Sequence, residues 1–328
     1  MKTIKKSGIV LLVLVSLVIV LVLSGVGYLK FFLPDVGAAP ELAIQKTDSQ
    51  IERGRYLANH VMVCIDCHSQ RDWSLFSGPP VKGSEGAGGE RFGREFGFPG
   101  EFYSPNITPY NLKNWTDGEI FRLITTGVTK NGEAIFSVMP YLSYGTLEQS
   151  DIEAVIAYIR TLQPLEASWP PRELDFPMNL IINTIPKPAS FSQRPDPSDA
   201  VSYGHYLLKA SACADCHTKM EKGQITGEYL AGGFAFPFPD GSVLRSSNIT
   251  PDATGIGSYT REFFIRKFKD YTDSAYTLPT VQPGEFQSIM PWYMYSGMTE
   301  EDLGAIYDYL RTVPPVKNVV EKLTVSKK

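Results

Sequence analysis

All four cysteines of the 328-residue chain lie in two copies of one pentapeptide. The first copy runs from Cys64 to His68 and the second from Cys213 to His217. Two cysteines separated by two residues and followed at once by a histidine form the attachment signature of c-type haem. On one helical turn each thiol can add to one vinyl group of the haem, and the histidine then lies beneath the iron. The pattern predicts two covalently attached haems.

Iron held in this way needs a sixth ligand, and a methionine thioether can supply it and raise the reduction potential. Met139 and Met290 lie at almost the same distance after the first cysteine of the preceding motif, and each is followed by proline and an aromatic residue. Met294 and Met298 lie close to Met290, but the first half has no methionine at the corresponding positions. The repeat therefore favours Met139 and Met290 as ligands over the alternative that they only fill the core.

Each cysteine pair could instead belong to a zinc knuckle or to a thioredoxin-like redox pair. A four-cysteine zinc ribbon places its pairs about 15–20 residues apart, and here Cys67 and Cys213 are much farther apart. Neither alternative requires a histidine after both second cysteines. The two other histidines, His60 and His205, lie on the segments that lead into the motifs and are interpreted as non-ligands.

A third repeated element places an Asn-Ile-Thr-Pro segment and then an aromatic residue between each haem motif and its methionine. It contains Asn106 and Trp115 in the first half, and Asn248 and Tyr259 in the second. One interpretation is a structural turn, because asparagine and threonine bond their own backbone and proline fixes the chain. The other is that these side chains donate hydrogen bonds to haem propionates. The sequence leaves both interpretations open.

The N-terminus carries Lys2, Lys5 and Lys6 before an uncharged stretch from Ser7 to Leu29 that is rich in Val, Leu and Ile. A secretory signal has an apolar region of about 7–15 residues, whereas a spanning helix needs about 20. The stretch fits a retained membrane anchor better than a cleaved signal. The excess of lysine before it predicts a cytoplasmic N-terminus, with the rest of the chain on the periplasmic side.

Charge and length limit the remaining possibilities. The net charge is −4 and the isoelectric point is near 5.7. No basic run could follow a phosphate backbone, so nucleic acid is not expected as a partner. On the usual prior of about 150 residues per domain, the length predicts two domains.

Two amphipathic helices close the two halves of the chain. Capping boxes are predicted to begin at Ser150 and at Thr299, each followed by apolar residues at helical spacing. Gly54 and Gly204 occupy matching positions on the segments that precede the haem motifs. Because glycine costs a helix about 1 kcal/mol relative to alanine, we expect each glycine to allow close approach of the final helix of its half.

These residues and motifs resemble the class I cytochrome c family, and more narrowly the multihaem cytochrome c subunits of membrane-bound alcohol, aldehyde and sugar-acid dehydrogenases. The narrower resemblance rests on the Asn-Ile-Thr-Pro segment, the helix start that follows it, and Met-Pro-Tyr or Met-Pro-Trp before the final helix. It covers about residues 50–163 and 200–315. Such subunits commonly carry three haems and a C-terminal anchor, whereas this chain has two motifs and an N-terminal apolar stretch.

The resemblance implies an all-α fold of two tandem class I cytochrome c domains behind an N-terminal transmembrane helix. The expected boundaries are an anchor at 1–33, a linker at 34–49, domains at 50–163 and 199–315, a proline-rich strap at 164–198 and a tail at 316–328. The strap is expected to pack across both domains and the tail to be solvated. An insertion around 271–284 lengthens the approach to Met290.

The resemblance also implies the ligands of two covalent haem c groups. Thioether attachment is expected at the four cysteines, axial ligation at two histidines and two methionines, and cofactor contact at the Asn and aromatic positions. These residues are Cys64, Cys67, His68, Met139, Asn106 and Trp115 for the first haem, and Cys213, Cys216, His217, Met290, Asn248 and Tyr259 for the second.

The expected function is electron transfer between proteins at or in the membrane, from a dehydrogenase or a quinol-oxidising complex toward a terminal acceptor. A fixed subunit of a terminal oxidase would use the same two haems as internal wiring. A dihaem peroxidase is a further alternative, but it needs one iron with an open or displaceable position. The presence of Met139 and Met290 favours a carrier or electron-transfer subunit over an enzyme that acts alone.

The lysine-flanked apolar stretch leads to a prediction about the mature N-terminus. We expect membrane-associated protein to begin at residue 1 or 2, because the whole stretch is retained as an anchor. N-terminal sequencing of protein isolated from membranes checks this. A mature chain that begins near Ala38 or Ala39 would contradict it.

Overall fold

Behind a long N-terminal helix, the two halves of the chain repeat one succession of short helices. The computed structural model describes residues 2–272, 277–282 and 284–325. Its helices are α1 (Lys2–Phe31), α2 (Asp48–Tyr56), α3 (Cys64–Cys67), α4 (Pro109–Leu112), α5 (Asp117–Thr126), α6 (Tyr141–Tyr144), α7 (Gln149–Ile159), α8 (Met178–Ile181), α9 (Ala200–Ala210), α10 (Cys213–His217), α11 (Arg261–Lys269), α12 (Trp292–Tyr295) and α13 (Glu300–Leu310).

The described residues also form three small antiparallel sheets, which the all-α prediction did not include. The strands are β1 (Arg91–Phe92), β2 (Gly100–Tyr103), β3 (Glu173–Leu174), β4 (Met220–Glu221), β5 (Gln224–Ile225), β6 (Ala235–Pro237), β7 (Val243–Arg245) and β8 (Leu323–Thr324). Their orders are β1-β2-β3, β4-β5 and β6-β7-β8. None of these strands is longer than four residues, so helices provide most of the core of the described residues.

The first and last helices of each half cross in contact at a glycine, as the sequence predicted. In the first half α2 packs on α7, and in the second α9 packs on α13. A Cβ atom placed on Gly54 would lie 1.8 Å from the carbonyl oxygen of Ala154, and one on Gly204 would lie 1.8 Å from that of Ala305. Neither distance is compatible with a side chain, so glycine is required for the helix backbones to approach this closely.

The capping box predicted at Ser150 is wrong, whereas Thr299 caps its helix. Helix α7 begins at Gln149, after Glu148, which makes no side-chain capping bond. The carboxylate of Glu153, which the box required, instead accepts a hydrogen bond from the Gln149 amide. In the second half Thr299 Oγ1 accepts from the backbone N–H of Asp302 at 3.1 Å. The box that does form joins Thr116 and Glu119, at the start of α5.

The proline-rich strap packs mainly against the first half. Its strand β3 pairs with β2, the indole of Trp169 donates to the carbonyl of Ala87 at 2.8 Å, and the backbone N–H of Ser190 donates to Gly145 O at 2.8 Å. The amide of Asn183 also donates to Leu29 O at the end of α1. The strap therefore links the N-terminal helix to the first half.

The prediction of a solvated tail is wrong for residues 316–325. Val316 lies within hydrogen-bond distance of Asn248 and Thr250, and β8 adds a strand to the edge of β7. Backbone pairing of this kind depends on which edge is free in the folded chain, and composition does not reveal it. Residues 326–328 lie outside the described residues.

Helix α1 is the one described helix that is long and apolar enough to cross a membrane, from Lys6 to Phe31, and a signal sequence meets the same criterion. The predicted insertion at 271–284 lies partly outside the described residues, since 273–276 and 283 are not described. Its described part includes Thr280, which forms an isolated bridge with Leu75 of the first half.

The glycine crossing leads to a prediction about stability. Gly204→Ala should lower the free energy of unfolding by about 1–3 kcal/mol or more, because overpacking forces two helix backbones apart. Ser202→Ala, on the exposed side of the same helix, is the matched control and should change it little. Denaturant unfolding followed by circular dichroism measures both. Equal stability of the two variants would contradict the packing role of Gly204.

Candidate haem sites

Both Cys-x-x-Cys-His motifs fold as one helical turn entered through the same unusual backbone conformation. The residue before the first cysteine is left-handed in each case, with φ 46° at Val63 and φ 51° at Ala212. Neither is glycine, and such a conformation costs about 1–3 kcal/mol and persists only where the surrounding structure imposes it. The carbonyl of this residue accepts from the backbone N–H of Asp66 or Asp215, at 3.1 Å in both.

The approach to the first motif contains one residue more than the approach to the second. Gly54 precedes Cys64 by one residue more than Gly204 precedes Cys213. The structure accommodates the extra residue as a π-helical segment, Leu57–Val61, after α2, whereas α9 runs without interruption. Single π turns of this kind are frequent at functional sites. The insertion lets the same helix crossing position both motifs.

The two motif histidines have the same kind of hydrogen-bond partner, a backbone carbonyl oxygen. His68 Nδ1 lies 2.8 Å from Pro105 O, and His217 Nδ1 lies 2.7 Å from Ser247 O. A carbonyl only accepts, so Nδ1 carries the proton and Nε2 is left with a free lone pair. Burial lowers the pKa of both imidazoles and keeps them neutral. This is the tautomer and orientation that an iron-binding histidine needs.

The cysteines also suit covalent attachment. All four are free of disulfides, and burial raises the pKa of the Cys64 and Cys213 thiols to about 12. At neutral pH these side chains therefore keep the S–H that adds across a vinyl group. Together with the histidine orientation, the chemistry of the donor set fits a covalently bound haem in each half.

The two candidate methionine ligands lie in turns of matching geometry. Pro140 has φ −79° and ψ 51°, Pro291 has φ −79° and ψ 65°, and both values are those of an inverse γ-turn. The turn is closed by a 2.8 Å bond from the N–H of the following aromatic residue to the carbonyl of Met139 or Met290. Both methionines are partly buried and pack against the hydrophobic core. Their coordination of iron stays a prediction.

The repeated asparagines form structural turns. Asn106 Oδ1 accepts from the N–H and hydroxyl of Thr108, and its amide donates to the carbonyls of Leu165 and Ala167, which follow the final helix of that half. Asn248 repeats the pattern with Thr250, and its amide donates to Val316 O and Thr254 Oγ1. These bonds favour the structural interpretation, and propionate binding stays a prediction.

The aromatic residues of this element pack against the core beside their turns. The Nζ of Lys130 lies 5.4 Å from the centre of the Trp115 ring. The ring of Tyr259 contacts Phe263 edge to face, with centroids 4.7 Å apart. Direct contact of either ring with a haem stays a prediction.

Sequence reasoning missed two buried tyrosines that support the approaches to the motifs. The hydroxyl of Tyr144 donates to Met62 O at 3.0 Å, and that of Tyr295 donates to Ser211 O at 2.7 Å. Each acceptor lies two residues before the first cysteine of its half. A usable signal was present, because both tyrosines follow the candidate methionine by the same interval.

The same tyrosines lie between the two motifs. Burial raises the pKa of Tyr144, and groups from both motifs, Cys64 and Asp215 among them, raise it further. Burial likewise raises the pKa of Tyr295, and the groups that add to it include Cys213, Tyr144 and Asp66. Helix packing supports this placement, since α12 packs on the π-helical segment Leu57–Val61 and α6 packs on α9, so that the helix of each tyrosine contacts the approach to the opposite motif.

Reciprocal tyrosine–carboxylate bonds join the two halves. Tyr56 OH donates to Asp302 Oδ2 at 2.6 Å, and Tyr206 OH donates to Asp151 Oδ2 at 2.7 Å. Each tyrosine lies on the first helix of one half and each carboxylate in the first turn of the final helix of the other. Arg53 also forms a bidentate ion pair with Asp151. The first helix of each half thus donates one tyrosine hydrogen bond to the final helix of the other half, and the two contacts are equivalent.

Comparison with known proteins points to the same kind of cofactor site. Residues 201–314 match the Cytochrome c family. Over 137 residues the chain is 40% identical to the fructose dehydrogenase cytochrome subunit of Gluconobacter japonicus, an alignment that covers 40% of this chain and 24% of that protein. It is 25% identical over 288 residues to the alcohol dehydrogenase (quinone) cytochrome c subunit of Gluconacetobacter polyoxogenes, covering 81% of this chain and 56% of that one.

A third relative is the diheme cytochrome c-type protein of Cereibacter sphaeroides, 26% identical over 265 residues, with 77% of this chain and 83% of that protein covered. The chain spans about a quarter and about half of the length of the two dehydrogenase subunits. Residues 201–314 match a cytochrome c domain, and such a domain implies a covalently attached haem c. As the sequence motifs indicated, the chain resembles the cytochrome c subunits of dehydrogenases.

The tyrosine contacts lead to a prediction that a paired variant can check. Tyr295→Phe should lower the free energy of unfolding by about 1–3 kcal/mol, because it leaves the buried carbonyl of Ser211 without its donor. Tyr293→Phe is the matched control, since Tyr293 lies on the same helix and is 48% exposed. Denaturant midpoints of the haem-loaded variants measure the difference. Indistinguishable midpoints would show that the Tyr295 hydroxyl does not support the motif.

Proposed function

We propose that the protein transfers electrons through two covalently bound haem c groups, each with His/Met ligation. The observation that carries the proposal is the repetition of one complete ligand arrangement in both halves. In each half a Cys-x-x-Cys-His turn has a carbonyl-oriented histidine and is accompanied by a Met-Pro turn of the same backbone geometry. Haem c bound there would supply a one-electron couple at iron.

In this proposal the residues of the chain hold each haem iron and leave it no open coordination position. Cys64 and Cys67 would anchor one haem and Cys213 and Cys216 the other, while His68 and His217 would bind the iron through Nε2. Met139 and Met290 would complete the two coordination spheres. Thioether ligands favour the ferrous state and raise the potential. A methionine in both halves favours a carrier over a peroxidase, which needs one accessible iron.

We further propose that residues 50–163 and 199–315 are two cytochrome c domains behind a membrane anchor at 1–33, both on the periplasmic side of the cytoplasmic membrane. The helix at Lys6–Phe31 supports the anchor, and the lysines before it support the orientation. The matching helix crossings at Gly54 and Gly204 support two equivalent domains.

The proposed electron donor is a membrane-associated dehydrogenase. The support is similarity to proteins named as cytochrome subunits of fructose dehydrogenase and of quinone-dependent alcohol dehydrogenase. Nothing comparable supports a quinol-oxidising complex or a terminal oxidase as partner. Mass spectrometry of proteins that co-elute from detergent-solubilised membranes tests this assignment, and isolation of the chain with an oxidase alone would contradict it.

Ligand replacement tests the haem proposal. Met139→His and Met290→His should each lower the potential of one haem, by on the order of 0.1–0.3 V within the roughly 0.8 V that axial ligands span. The other haem should keep its potential, so each variant is the control for its counterpart. Potentiometric titration of the two one-electron steps measures this, with about 59 mV for each tenfold change in equilibrium.

The unmodified protein should contain two haems per chain, both low-spin, and should react slowly with carbon monoxide in the reduced form. A stable high-spin haem with rapid turnover of hydrogen peroxide would replace the carrier proposal with the peroxidase. A single haem per chain would contradict the proposal of two equivalent sites.

A further inference from the structure

A loop of the first half holds the candidate methionine turn of the second. This clamp loop, residues 71–78, follows the first haem motif and lies against residues 279–282 and 284–292. Backbone bonds join Phe76 N to Pro279 O and Val281 N to Ser74 O, each at 2.8 Å. The amide of Gln287 donates to the carbonyls of Trp73 and Leu75. The two segments therefore form one hydrogen-bonded unit across the boundary between the halves.

Ser77 makes the contact that reaches the methionine itself. Its hydroxyl donates to Met290 O at 2.6 Å and accepts from Trp292 N at 3.1 Å. Its backbone N–H donates to Gln287 Oε1 at 2.8 Å. A single hydroxyl thus bridges both ends of the Met290-Pro291-Trp292 turn.

The backbone of Ser77 supports a specific role for this side chain. Ser77 is 1% exposed and has φ 68°, in the left-handed region, although the next residue is a glycine. A non-glycine residue in this region is strained, and such strain concentrates at functional sites. Glycine would adopt the conformation without strain, but it would lack the hydroxyl that the turn uses.

The clamp loop is also fixed to the first haem motif. Arg71 pairs with Asp66, the central acidic residue of that motif, at 3.3 Å, and both side chains are buried. The same guanidinium donates to Ser77 O at 2.8 Å and Gly78 O at 2.7 Å. A continuous series of polar contacts therefore runs from the first motif to Met290.

The arrangement is not repeated around Met139. Among the described residues, the Met139 carbonyl accepts a hydrogen bond from Tyr141 N, and no side chain of the second half bridges that turn. The two methionine turns have the same backbone geometry, but only the second is held by the opposite half. A methionine turn of this geometry therefore forms without a contact from the opposite half.

We propose that Ser77 is a positioning residue that holds Met290 on the iron of the second haem, so that the first half controls the axial ligation of the second. The proposal rests on the proposed function, in which Met290 is an axial ligand. Loss of the hydroxyl removes the hold of the first half on both ends of the turn and leaves only bonds within the second half, such as the 2.8 Å bond from Trp292 N to Met290 O. Met290 is then displaced more easily by an external ligand.

The test uses the full-length, haem-loaded protein in a Met139→His background. In that background the weak near-infrared band that reports an iron–sulfur bond comes from Met290 alone. Imidazole is added to the ferric protein, and the concentration that removes half of the band is measured. Ser77→Ala should lower this concentration about tenfold, which corresponds to ~1.4 kcal/mol. Ser77→Gly should lower it similarly while relieving the backbone strain.

Ser74→Ala is the matched control, because Ser74 lies in the same loop but its hydroxyl bonds Asp72, and the midpoint should be unchanged. If neither Ser77 variant differs from Ser74→Ala, the positioning role is wrong while Met290 ligation stands. If only Ser77→Ala has an effect, backbone strain and not the hydroxyl is responsible, and the proposal is wrong. If the Met139→His protein with Ser77 intact has no near-infrared band, the proposed ligation by Met290 itself fails.

Discussion

The contact of two helix backbones at a glycine is the constraint on which each half of this protein depends. The first helix leads toward the cysteine–histidine motif, in the first half through the π-helical segment, and the last helix begins shortly after the methionine turn. Locking their crossing at Gly54 and Ala154, or at Gly204 and Ala305, fixes where the two sets of candidate ligands stand relative to each other. Neither glycine is a candidate ligand, but the crossing that it allows positions the residues that are.

The halves are joined by the same elements that build the sites. Tyr56 and Tyr206 lie on the first helices and donate to carboxylates in the first turns of the opposite final helices. Buried hydrogen bonds to charged groups contribute about 1.5–3 kcal/mol each, so this exchange holds the two motifs at a defined separation. Tyr144 and Tyr295 are buried and donate to backbone carbonyls of the two approaches. An electron-transfer protein benefits from such rigidity, because little should move when an electron arrives.

Features that repeat in the sequence could be predicted, and those that depend on a unique long-range pairing could not. The cysteine motifs, the Met-Pro turns and the glycine crossings occur twice, and repetition identified them without any knowledge of the fold. Strands β3 and β8 take the same place in the two halves, at the edges of β2 and β7, but two-residue strands carry no periodic signal. The clamp loop has no counterpart among the described residues of the second half, and its partner lies far away in the chain. Ser77 has no local signal, since a serine before a glycine is typical of any loop. The helix start at Gln149 was missed because the sequence from Ser150 could form a capping box. Local sequence alone does not show that the helix begins before that serine.

Two haems with the same ligands differ in potential only through their surroundings, which include hydrogen bonds, burial and nearby charge. The chain repeats its candidate ligands and part of their surroundings, such as the carbonyl partner of each motif histidine, but other contacts of the described residues are found in one half only. The first motif has the π-helical approach and a buried Arg71 paired with its central aspartate. The second has a methionine turn held by Ser77 from the opposite half. In the proposed two-haem function, these unrepeated contacts would make the potentials of the two sites differ. Arg71 belongs to one set of contacts and bonds the backbone of Ser77 in the other, so in the proposed function the two sites would not be tuned independently.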